Sequence, residues 1–130
     1  MRRAVLLPLA FVAAPAAADG PAVCAVEQAI LCPRFEECAR GLPAAINLPA
    51  LIRLDPVGKV LEARLDDGTV RVTPVSDVIE AVGSTLMQGV DEGLPWSMSV
   101  AMDTGAFTLV VADGEAGYVA FGVCSRALAR

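Results

Sequence analysis

The sequence predicts an all-β domain: a small antiparallel up-and-down meander of seven or eight strands, closing into a barrel or sandwich and stapled by disulfides. Three observations predict it. Apolar and polar residues alternate with a period of two over several short runs, the pattern of half-buried strands. Asp, Gly and Pro cluster between those runs, where tight turns need them. Four cysteines stand in a chain that opens with an export signal, a context in which cysteines pair.

The export signal comes first. Arg2 and Arg3 are followed by the apolar run from Ala4 to Ala14, interrupted by Pro8, and by a small-residue site at Ala16–Ala18. This is the pattern of a secretory signal peptide spanning residues 1–18. The apolar run is too short to cross a bilayer, so a retained anchor is the weaker reading. Cys24 follows Val23 and does not sit at the cleavage point, which argues against lipidation. Cleavage after Ala18 leaves residues 19–130 as a single disulfide-stabilised β-domain. A chain of that length buries roughly two-thirds of its unfolded surface.

The next stretch, Cys24 to Cys38, reads CAVEQAILCPRFEEC and holds three of the four cysteines. Val23–Leu31 is expected to be a strand, although Glu27 and Gln28 blur its alternation. The CPRFEECARGLP segment is turn-like. From Ile46 to Asp55, apolar residues at 46, 48, 50, 52 and 54 alternate with their neighbours. That predicts a strand of about ten residues, at an edge or bulged because Pro49 cannot donate to a ladder. Asp55-Pro56-Val57-Gly58 is a turn. Lys59–Leu65 reads as a strand with Leu61, Ala63 and Leu65 on one face and Val60, Glu62 and Arg64 on the other. Asp66-Asp67-Gly68 is a hairpin signal, and Thr69–Val75 is the return strand, with Val70 and Val72 expected inward and Arg71 and Thr73 outward.

Ser76–Val90 is ambiguous. Asp77 and Glu80 resemble a capping box, which predicts a short helix or turn at 77–82 and a strand at 84–89. The last third alternates plainly. Trp96, Met98, Val100 and Met102 share a face, as do Phe107, Leu109 and Val111, then Val119, Phe121 and Val123. Turns at Asp103-Thr104-Gly105 and Asp113–Gly117 separate these runs, and Ser125–Arg130 reads as a frayed tail.

Of the three possible cysteine pairings, Cys32–Cys38 with Cys24–Cys124 is favoured. The first closes a local turn and the second ties the first strand to the last. Cys24–Cys32 with Cys38–Cys124 is the rival. A metal site is the lesser use, because the spacing lacks two tight pairs and the chain has no His.

The absence of His also removes the commonest general base, and with it Ser-His-Asp and Cys-His chemistry. The single Lys, Lys59, flanks a turn. The carboxylate pairs Glu36-Glu37, Asp66-Asp67 and Asp91-Glu92 read as solvated surface. Asp66-Asp67-Gly68 and Asp113-Gly114-Glu115 read as turns and match no full calcium loop. No catalytic residue, cofactor or metal is therefore assigned. Loss of Arg2 and Arg3 with the signal takes the formal net charge from −5 to −7. Such a chain repels phosphate backbones, so no nucleic acid is expected as a partner. No stable membrane insertion is expected after cleavage. Trp96, Met98 and Met102 fit either a filled core, the usual state of a barrel this small, or the lining of an apolar cavity.

The order of export signal, cysteine trio, hairpin strands and a last strand ending Gly122-Val123-Cys124 resembles a group of short exported proteobacterial proteins without assigned activity. WSMSVAMDTGAFTLVV and YVAFGVC are the most similar stretches. In size and architecture alone the chain is also similar to periplasmic lysozyme inhibitors, small disulfide-linked β-barrels, though no inhibitory motif matches residue by residue. Together these readings predict a non-enzymatic binding or recognition protein, periplasmic or secreted, with an envelope component or another protein as partner. The alternatives are an inhibitor of a cell-wall hydrolase such as lysozyme and a carrier of a small apolar ligand in the barrel.

Overall fold

The computed structural model describes residues 21–65 and 67–125. The expected signal peptide, Asp66 and the tail from 126 onward lie outside the described residues.

Alternating sequences of this kind have one face to bury, and here they bury it by curling a single sheet. Its strands are β1 (Ala22–Pro33), β2 (Ala39–Gly41), β3 (Leu51–Asp55), β4 (Val60–Arg64), β5 (Val70–Pro74), β6 (Asp77–Ala81), β7 (Ser84–Asp91), β8 (Leu94–Ala101), β9 (Ala106–Ala112) and β10 (Ala116–Cys124). The order is β5-β4-β3-β1-β10-β9-β8-β7-β6, with β2 also paired to β1 and every pairing antiparallel. Two meanders, 3-4-5 and 6-to-10, are thus joined at the centre by the first and last strands. The result is an all-β half-barrel. Its two strands beyond the expected eight are β2 and β6.

Residues opposite one another on neighbouring strands share a face. Val26, Gly122, Phe107, Val100 and Thr85 form one inward row across β1, β10, β9, β8 and β7. Ala29, Ala120, Leu109, Met98 and Met87 form the next, and Leu31, Tyr118, Val111, Trp96 and Gly89 the third. The first two rows make the densest part of the core, where Met87, Met98 and Val100 are almost fully buried. Val119, Phe121 and Val123 do share a face, and it is the outer one. The blurred alternation at Glu27 has a cause: the register of β1 against β10 slips between Val26 and Gln28, a β-bulge.

Cys24 and Cys124 stand directly opposite each other on β1 and β10 and form a buried disulfide. Cys32 and Cys38 form the second, closing the turn between β1 and β2. Two such bonds belong to an oxidising compartment. At the tip of that turn Phe35 is held at φ 66° and stays 92% exposed, with the Arg34 guanidinium over its ring at 4.7 Å.

Three expectations are corrected. The strand expected over 46–55 is confined to Leu51–Asp55; Pro43–Ile46 instead forms a 3-10 turn. Pro43 sits in its first turn, and Asn47 ends it in the left-handed region, donating to Ala44 O. Residues 77–81 are a strand and not a helix. Val82-Gly83, with Gly83 at φ 79°, turns the chain so that Val78 pairs with Met87. The cross-strand partner outweighs the capping pattern, which lacked a long apolar helical face.

The third correction decides the site. On β5, Val70 and Val72 are about half exposed, while Arg71 and Thr73 face the interior. A two-residue Asp-Gly turn would pair Leu65 with Val70. Instead Leu65 and Thr69 bond to each other, leaving three residues between them, with Gly68 at φ 84°. The extra loop residue pairs Ala63 with Arg71 and Leu61 with Thr73. A one-residue shift moves every side chain of a strand to its other face.

Candidate functional site

The ends of the sheet do not meet strand to strand. The chain passes from β5 to β6 through Val75 and Ser76. Val75 N–H donates to Lys59 O, beside β4, and Ser76 N–H donates to Gln88 O of β7, so adjacent amides tie the two ends of the curl together. Gly89 permits the approach. A Cβ there would lie 2.6 Å from Pro74 O and 3.0 Å from the Trp96 ring. On the same seam Arg71 Nη2 meets Asp91 Oδ2 at 2.5 Å and Glu92 Oε2 at 3.7 Å. Arg71 and Asp91 are both partly buried, whereas Glu92 is largely exposed.

Behind this seam the curl encloses a partly open cavity of about 630 Å³. Ile52, Leu61 and Ala63 wall it on one side, and Trp96, Leu109 and Val111 on the other. The segment 44–49 forms a further side, with Leu48 packed against the core. Beside this space the row through Trp96 ends in Gly89 and the facing strand contributes Ala63, whereas Phe107, Val100, Met98 and Met87 fill the other end as buried core. The expectation of a filled core therefore holds for one end only. Trp96 lines the cavity, Met98 belongs to the filled core, and Met102 lies beyond the end of β8.

The volume falls in the range of about 300–1,000 Å³ typical of small-molecule sites, and such sites combine apolar walls with a few polar groups. Here the polar groups are Asn47, Thr73, Tyr118 and the Arg71–Asp91–Glu92 cluster. The buried indole N–H of Trp96 has no hydrogen-bond partner among the described residues. A buried donor left in that state costs about 1–3 kcal/mol.

Asp67 and Asp113 stay in their turns. Asp67 Oδ1 accepts from Thr69 N–H at 2.8 Å. The Thr69 side chain, and then its N–H, hold the exposed Asp67 carboxyl below the usual carboxylate range. Asp113 Oδ1 accepts from Glu115 N–H at 2.6 Å and from Ala116 N–H at 2.8 Å. Glu36, Glu37 and Lys59 are exposed. Among the described residues no group of three or more His, Cys, Asp or Glu is placed to hold a metal, and no helix is long and apolar enough to cross a membrane.

Asp91-Glu92 departs from the expectation of a solvated pair, because Asp91 is drawn onto Arg71. Nothing in the sequence links these positions. They meet only because the sheet curls and β5 is turned over. Tyr118 was equally silent, and Ala63 was read only as one face of a strand; the register places both on the cavity wall. No protein-family model matches the chain, and no curated protein or solved structure is significantly similar to it.

Proposed function

We propose that this is an exported, non-enzymatic binding protein of the periplasm or cell exterior, which takes a small, mainly apolar ligand into the cavity of its curled sheet. The observation that carries the reading is the cavity of about 630 Å³ between the Ile52–Leu61–Ala63 and Trp96–Leu109–Val111 walls. Transfer of apolar surface onto those walls supplies about 25 cal/mol per Å² removed from water. The preformed sheet spares much of the ordering cost that weakens binding to loops. The two disulfides support export, and the lack of any His supports a role in binding over one in catalysis.

Trp96 is the only tryptophan of the chain, so its fluorescence reports on the cavity wall. Titration with a fluorescent apolar probe such as phenylnaphthylamine is expected to saturate and to quench Trp96. Ala63→Phe fills the cavity from the opposite wall and is expected to weaken binding about 10-fold, or about 1.4 kcal/mol. An absence of saturable binding, or binding indifferent to Ala63→Phe in a folded variant, overturns the reading.

A further inference from the structure

We propose, resting on the ligand-cavity reading above, that the ligand is a cationic amphiphile, its ammonium head at the seam and its apolar body between the walls. Three charged side chains line the cavity: Arg71, Asp91 and Glu92. The one cation is already engaged, with Asp91 at 2.5 Å and Glu92 at 3.7 Å. The cluster therefore carries a net charge of −1. An anionic head would have to share Arg71 with two carboxylates already within 4 Å of it and would meet a cluster whose net charge repels it. A cationic head takes up the unneutralised charge and leaves the Arg71–Asp91 pair intact.

A second observation points the same way. Tyr118 and Trp96 line the same cavity, in the cross-strand row that ends in Gly89, two positions before Asp91. Aromatic faces together with carboxylates form the usual recognition chemistry for ammonium groups. The acidic balance of the whole chain further raises the local concentration of cations.

The test compares three octyl probes that differ in the head group: octyltrimethylammonium, octanol and octanoate, each titrated against Trp96 fluorescence and by calorimetry at neutral pH and low salt. The expected order is ammonium about 5-fold tighter than octanol, and octanoate at least about 10-fold weaker than octanol. Added salt is expected to narrow the first gap. Glu92→Gln is expected to bring the ammonium-to-octanol ratio close to one, while Glu80→Gln, on exposed β6, leaves the ratio as it was. Octanoate binding as well as or better than the ammonium probe overturns this inference but leaves the cavity reading standing, and so does equal binding of all three. Failure of all three to bind overturns both.

Discussion

Replacing Cys24 and Cys124 together by alanine is expected to lower stability by about 4–5 kcal/mol and the melting temperature by roughly 20 °C. Thermal unfolding followed by far-UV circular dichroism measures it. The two cysteines are 100 positions apart, so the bond closes nearly the whole described chain into one loop. It also lies where the sheet has no sequence-local support: β1 and β10, the first and last strands, pair at the sheet's centre and join the two meanders. The separate pair Cys32–Cys38 spans only 6 positions. On the same loop-entropy argument its removal costs about 2 kcal/mol. Equal losses from the two double substitutions would show that the long bond does not act by restraining the unfolded chain.

Gly122→Ala is expected to cost about 3 kcal/mol, a fall of roughly 15 °C, from a single methyl group. Gly122 lies on β10 opposite Val26, at the edge of the β1 bulge. A Cβ there would stand 1.9 Å from Ala25 O and 2.7 Å from Phe107 Cε1. The first neighbour is backbone of the central strand pair and cannot rotate away, and the second is a core ring that is 3% exposed. Gly117 on the same strand supplies the control. A Cβ there meets nothing within 4 Å, so Gly117→Ala is expected to change stability by less than about 0.5 kcal/mol. Similar losses at the two glycines would show that the clash at the bulge is not the source of the cost.

What could be read from the sequence divides by physical cause. The hairpins from Leu94 to Cys124 were legible because each run alternates cleanly and each turn carries its own Asp or Gly. The all-β class followed from the same signal. Residues 77–81 were misread because a capping pattern is a local feature, while their strand depends on Met87 and Leu86 across a turn. The expected strand from Ile46 lost its first half because Pro43 pre-sets the start of the 3-10 turn and Pro49, beyond it, has no N–H to give a ladder.

The site was less legible than the fold. One added residue in the 66–68 turn reverses β5, and that reversal alone brings Arg71 and Thr73 inside. An Asp-Gly signal predicts that a turn forms, but two-residue and three-residue loops both accept it, and they give opposite faces. The seam is a still longer-range consequence, for Arg71 reaches Asp91 only after the other strands have curled the sheet.

Whether the curled sheet holds a small apolar molecule is read out by native mass spectrometry of the mature protein purified from its own host without detergent. The expected result is a retained small-molecule adduct, extractable into organic solvent and depleted in Ala63→Phe. A spectrum showing only the bare chain, from protein that also fails to take up the apolar probe, would contradict it.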